Sequence, residues 1–158
     1  MSDFAADRLG SPDQVVDRAI DLSIAHPGDR ICVAGAHGLA TMVALIQHGF
    51  ERVECAHHAT CPGADETSDL LMVVGPMTAE DLAATVRRTV PVLRDGGVLL
   101  IQLGRPGDGA AVRNVLAALR YSVVGVLIDR GHGRLVAYTL NRPTPLKKAG
   151  QGFGAAGK

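Results

Sequence analysis

The sequence predicts an α/β fold: a mostly parallel sheet of about six strands, helices on both faces, and an antiparallel β-hairpin at the end. Three observations predict it. Short apolar runs such as "RICVAG" and "DLLMVV" alternate with stretches of helical periodicity. Strands joined by helices pair in parallel, because a crossover places its helix against the sheet. The last stretch breaks this rhythm, with "YSVVGVLID", "RGHG" and "RLVAYTL" reading as strand, glycine turn and strand.

Each element has its own signal. In "SPDQVVDRAIDLSIAH", Ser11 is an N-cap, Pro12 takes the first helical position and Gln14 completes a capping box. Val16, Ala19, Ile20, Ser23 and Ile24 then share one helical face. "PGD" breaks this helix and feeds the apolar strand "RICVAG". "GLATMVALIQH" is helical and stops at Gly49; "ERVECA" and "DLLMVV" are the next two strands. Thr78 and Asp81 begin the helix "AEDLAATVRRTVPVL", whose Leu82, Val86, Val90 and Leu93 follow helical spacing and whose last turn Pro91 must kink or end. "RDGG" is a turn before the strand "VLLIQL", which carries no polar residue before Gln102. After the loop "GRPGDG" comes the helix "AAVRNVLAALR", with Val112, Val115, Leu116 and Leu119 on one face, and then the hairpin.

The whole chain has 158 residues, one domain's worth, with 47% hydrophobic and 20% charged residues. Residues 1–10 read as an N-terminal extension, 11–142 as the folded domain and 143–158 as a flexible basic tail containing Lys147 and Lys148. Sixteen basic residues balance sixteen acidic ones, and aromatic content is 3% without tryptophan. No nucleic-acid partner is therefore expected, since such binding needs surplus positive charge or a stacking surface. No apolar run approaches the roughly 20 residues of a membrane span, and "MSDFAADRLG" lacks the marks of a signal peptide. Three cysteines do not suggest a secreted disulfide framework, so a cytoplasmic location is expected.

The order of elements resembles the class I S-adenosylmethionine-dependent methyltransferase fold, a Rossmann-like architecture. "HPGDRICVAGAHG" is similar to that family's first strand and glycine loop, and "SDLLMVVGPM" resembles its fourth strand. "VPVLRDGGVLLIQL" matches its helix, double glycine and fifth strand, and "ALRYSVVGVLIDRGHGRLVAYTL" its closing hairpin. The likeness spans residues 11–142. It implies a cofactor loop at Gly35, Ala36, His37 and Gly38, and a ribose-holding residue at the end of the second strand, at His57 or, in a shorter strand, Glu54. "GPM", residues 75–77, stands where some relatives place substrate-binding residues, without their Asn-Pro-Pro-aromatic pattern.

The sequence departs from the family's pattern at several points. Val33 stands where an acidic residue usually precedes the loop, and His37 and Leu39 stand where glycines are usual. Only about a dozen residues separate the second strand from "DLLMVV", barely a crossover's length, so the family's third strand and its helix are missing. Side chains at Val33, His37 and His57 would leave the crevice poorly shaped for an adenosyl ligand. The loop then reads in two ways: backbone N–H groups at Ala36 to Leu39 favouring an anion, or a plain tight turn into a helix.

A second cluster, "CAHHATC", places Cys55, His57, His58 and Cys61 within one short stretch. Two thiols and two imidazoles suit tetrahedral zinc, with His37 expected nearby, although four ligands from one loop would be cramped. The alternatives are a Cys55–Cys61 redox pair, or a core cysteine beside solvated histidines. Asp69 is expected to shape a turn, and Arg105 and Asp108 to be solvated loop charges.

Three functions follow. The first is a methyltransferase-like protein without catalysis, serving as a binding, regulatory or assembly module; no bound cofactor is then expected. The second is an active, divergent methyltransferase using S-adenosylmethionine, with substrate near Gly75, Pro76, Leu103 and Gly104. The third is a metal- or redox-responsive protein built on the cysteine-histidine cluster. Loss of an edge strand exposes the second strand, and a homodimer or protein partner is expected to cover that side.

Overall fold

The structure, a computed structural model, describes residues 10–56, 67–130 and 134–143. In chain order its elements are α1 (Pro12–Asp21), β1 (Arg30–Ala34), α2 (Gly38–Gln47), β2 (Arg52–Cys55), β3 (Ser68–Val73) and α3 (Ala79–Thr89). A short 3-10 turn (Val90–Val92) leads into β4 (Leu93–Gln102), α4 (Asp108–Ala118), β5 (Ser122–Asp129) and β6 (Leu135–Asn141). The sheet order is β2-β1-β3-β4-β6-β5. The pairs β2–β1, β1–β3 and β3–β4 are parallel, while β6 runs antiparallel to both β4 and β5. This is the mostly parallel sheet with a terminal hairpin that the sequence predicts. Among the described residues β2 forms one edge, as the missing strand requires.

The apolar runs of the central strands serve two cores, because alternate residues face opposite sides of the sheet. Ile31, Val33, Leu70, Met72 and Leu100 meet Val15, Val16 and Ala19 of α1 and Ala44 and Leu45 of α2. On the other face Cys32, Leu71, Val73, Leu99 and Ile101 meet Leu82 and Val86 of α3 and Val112, Val115 and Leu116 of α4.

The helix ends show where sequence signals succeed and fail. The capping box of Ser11 and Gln14 forms as expected, and Pro91 ends α3, whose last turn tightens into the 3-10 turn. The first helix, however, stops at Asp21 rather than running to His26. Ser23 adopts φ +59°, its N–H donates to Ile20 O, and Ile24 N–H donates to Ala19 O. These are the two bonds of a Schellman stop, here with serine at the left-handed position. The face predicted for a longer helix shifts accordingly: Val15 is buried and Ile20 is exposed. "RDGG" does turn, but inside β4: Leu93 lies opposite Ser68 and Val98 opposite Leu70, so the intervening residues bulge.

The two sheet edges differ. β2 is short and presents exposed Arg52 and Glu54. β5 is longer and exposes Val123, Val124, Val126, Leu127 and Ile128, each 40–57% accessible. Beside β2, helix α2 turns a stripe of Leu39, Val43 and Ile46 to solvent. No helix of the described residues is long and apolar enough to cross a membrane.

Candidate functional site at the carboxyl ends of the strands

In an open α/β sheet the ligand crevice lies beyond the carboxyl ends of the strands, where the strand order reverses. Here that point lies between β1 and β3. After Ala34 the chain turns through Gly35, at φ +97°, and reaches α2 by way of Ala36 and His37. The turn stays bonded to β3: Val74 N–H donates to Ala34 O, and His37 N–H donates to Val74 O, both at 3.0 Å. Two glycines allow this crossing. A Cβ on Gly35 would strike the Val74 carbonyl oxygen, and one on Gly75 would lie 2.6 Å from His37 N and 3.0 Å from His37 Cγ. Both are in left-handed backbone. Gly38 needs no such freedom; its Cβ would meet Cys55 Sγ at 3.5 Å, an ordinary contact.

His37 therefore roots its side chain against Gly75, in the corner between the two loops. It occupies the N-cap position of α2 at φ −103°, which suits any residue, and its side chain does not cap the helix. Its Nδ1 is buried with no hydrogen-bond partner among the described residues. Val33 is fully buried in the α1/α2 core, so nothing polar replaces the acidic residue of the family's pattern there.

Beside this corner opens a cleft of about 560 Å³ whose walls include Gly35, Ala36, Cys55, Met77, Asp81 and Arg88. Asp81 and Arg88 give it one acid and one base. The N-terminus of α2, at Ala36 and Leu39 in the wall, favours a negative group. Thr85 is buried in the wall and directs its hydroxyl toward Met77 Sδ at 3.9 Å.

Of the residues that the resemblance suggested, the structure brings Gly35 and Ala36 to the cleft and packs His37 and Gly38 beside it. Glu54 is not part of the wall: it neighbours Cys32 in the β1–β2 register and is exposed on the α3/α4 side of the sheet edge. His57, His58 and Cys61 lie outside the described residues, so only Cys55 of the proposed metal set is placed. Among the described residues no group of three or more His, Cys, Asp or Glu side chains converges as a metal site. Burial pushes the Cys55 thiol up, and pushes that of Cys32 to about 12 with help from Glu54 and Cys55. Both are protonated near neutral pH.

Two other charged residues prove architectural. Asp69, at the opposite end of the sheet, accepts from Arg30 N–H at 2.9 Å and from Arg94 Nε at 2.7 Å. Partial burial raises its pKa, but these two partners outweigh that and hold it below the usual value. Asp108, expected as a solvated loop charge, is instead 2% exposed and accepts from the N–H groups of Gly104 and Arg105. Its carboxylate folds the "GRPGDG" loop onto the start of α4; Arg105 is exposed as expected.

Sequence reasoning passed over Gln102. It is buried at the end of β4, accepts from Gly75 N–H at 2.8 Å and donates to Gly10 O at 3.3 Å. Its signal was present: it is the polar residue that ends an otherwise apolar strand. It joins the β3–α3 turn to the beginning of the domain.

The chain matches no family model and no curated protein. Solved structures do match. A methyltransferase from Pyrococcus furiosus superposes with a TM-score of 0.55 at 14% identity, covering 85% of this chain and 84% of that one. A ribosomal protein L11 methylase from Lactobacillus delbrueckii subsp. bulgaricus gives 0.52 at 13% identity, over 86% and 81%. A candidate tRNA (m1A22) methyltransferase from Streptococcus pneumoniae, solved with S-adenosyl-L-methionine, gives 0.53 at 10% identity, over 87% and 74%. With the sheet order, these likenesses define the class: the chain has a class I methyltransferase-like, Rossmann-like fold.

Proposed function

We propose that this protein is a non-catalytic binding module in the cytoplasm, built on a methyltransferase-like scaffold. One observation carries the reading: the corner between β1 and β3 is filled by His37 packed on Gly75. In the family's pattern the loop there has glycine, whose bare backbone lets the ligand approach closely. Supporting it, Val33 is sunk in the core and Glu54 does not line the cleft, so neither supplies the acidic group of the family's pattern there. Among the described residues Cys32 and Cys55 are free thiols, which suits a reducing compartment.

Calorimetric titration with S-adenosylmethionine and S-adenosylhomocysteine tests the reading. No saturable heat at millimolar ligand is the expected result; binding in the micromolar range would overturn it. The second reading, a divergent methyltransferase, is favoured by a cleft of ligand-binding size at the correct end of the sheet and by the S-adenosyl-L-methionine complex of the S. pneumoniae structure. Such enzymes work mainly by aligning nucleophile and methyl donor, so no fixed catalytic side chain need be found.

The reading includes a covered surface on the side of the missing strand. Leu39, Val43 and Ile46 form its apolar stripe beside β2, and a second copy of the chain is the proposed occupant. Light scattering should report a dimer that Val43→Lys dissociates; a strict monomer would count against it.

A further inference from the structure

A different surface lies at the far edge of the sheet, along β5. β5 pairs with β6 on one side and has no neighbouring strand on the other among the described residues. Among the described residues no backbone group bonds to its outward N–H and C=O groups, and Ser122–Asp129 contains none of the lysines or prolines that commonly blunt an edge. A register shift lies between Val123 and Gly125, leaving Gly125–Asp129 in regular pairing. Its apolar side chains stand exposed on both faces of the ribbon.

The two faces differ in charge. On the α3/α4 side Val126 and Ile128 sit beside Tyr138 in a groove of about 340 Å³ that Arg113, Arg130 and Arg134 also line. Among the described residues none of the three guanidiniums has an ion-pair partner and no acidic side chain lines the groove. On the α1/α2 side Leu127 borders a groove of about 410 Å³ with Ile24, Val98 and Ala137. The acids there are engaged: Asp29 accepts from His26 N–H, and Asp69 is held by Arg30 and Arg94.

We propose that β5 receives an extended segment of a partner protein as an added strand, with alternating acidic and aliphatic residues. The acidic side chains meet Arg113, Arg130 and Arg134, while the aliphatic ones enter the groove beside Leu127. Main-chain bonding to the edge supplies affinity, and the alternation supplies specificity. Charge complementarity favours this occupant over a second copy, which would bring further unpaired arginines and no matching acid from its own β5 groove. The proposal goes beyond the cleft reading and does not depend on it.

Fluorescence anisotropy with a short labelled peptide of alternating Glu and Val tests it on the full chain. The expected result is saturable binding that a Lys/Val peptide does not reproduce. The variant Arg130→Glu/Arg134→Glu should weaken it about tenfold or more. Its urea midpoint, if unchanged, shows that the fold survives. Methylating the backbone nitrogens of the peptide's valines or of its glutamates distinguishes strand addition from simple charge attraction, because only one set bonds to the edge. One methylated peptide should bind and the other should not. Equal binding of Glu/Val and Lys/Val peptides, indifference to charge reversal, or equal binding of both methylated forms would overturn the proposal. So would a dimer that Val126→Glu dissociates, since the occupant would then be a second copy. S-Adenosylmethionine binding would leave each of these outcomes untouched.

Discussion

Replacing Gly35 by alanine isolates what the crossing of the β1–α2 and β3–α3 turns costs to build. Two other glycines serve as controls. Gly49 shares φ +97° with Gly35, but a Cβ there would meet nothing within 4 Å. Gly28 has neither a positive φ nor a neighbour within that distance. Gly49→Ala therefore bears only the left-handed strain, about 1–2 kcal/mol. Gly35→Ala bears the same strain and a collision with the Val74 carbonyl. That oxygen cannot retreat without stretching the bond it accepts from His37 N–H. Overpacking of this kind adds about 1–3 kcal/mol, so the expected total is about 2–5 kcal/mol. Gly28→Ala should be neutral or stabilising by up to about 1 kcal/mol, through a less flexible unfolded chain. Urea unfolding followed by far-UV circular dichroism suits a chain without tryptophan. The expected midpoints fall in the order Gly28→Ala, wild type, Gly49→Ala, Gly35→Ala. If Gly35→Ala unfolds together with Gly49→Ala, the close approach of the two turns is refuted.

Three further predictions concern stability. Arg120 holds φ +67° at the end of α4, so Arg120→Gly should raise the urea midpoint by about 0.5–1 kcal/mol of stability; a lower midpoint would contradict the assigned helix stop. Asp108→Ala removes the acceptor of two backbone N–H groups and should cost about 2–4 kcal/mol, whereas Asp108→Asn, keeping a carbonyl oxygen, should cost less. His48 bonds Ala44 O through Nδ1 and Asp17 through Nε2, and the Ala44 bond leads in raising its pKa above 6.5. Its contribution is fully present below the unfolded value and fades as pH rises through the folded one. The stability gap between wild type and His48→Gln should therefore be wider at about pH 5.5 than at about pH 8.5, and an equal gap would exclude a protonated link.

The contrast between Gly49 and Ser23 shows how far the fold was legible. Both close a helix with the same pair of bonds, Gly49 N–H to Ile46 O with Phe50 N–H to Leu45 O, and Ser23 N–H to Ile20 O with Ile24 N–H to Ala19 O. Glycine announces that conformation and serine does not, so one helix end was read correctly and the other ran on to His26. The sheet was readable because its central strands are apolar on both faces, a pattern set by burial rather than by detail. Asp108 was misread because a carboxylate among glycines normally meets water, and only the folded loop brings two N–H groups to it. Glu54 shares the α3 side with much of the cleft wall, yet Cys55, the last residue of β2, is the one that borders the cleft, so strand period alone did not reveal which residue reaches it. Gln102 needed the third dimension, since its partners Gly75 and Gly10 are remote in the chain.

That glutamine also makes the turn after β3 and the beginning of the domain mechanically dependent on each other. One amide side chain bonds both, so its removal would take a partner from Gly75 N–H and from Gly10 O at once. The mouth of the sheet and the amino-terminal lead-in of α1 are thus fastened by the same buried side chain, although 65 and more residues separate them along the chain.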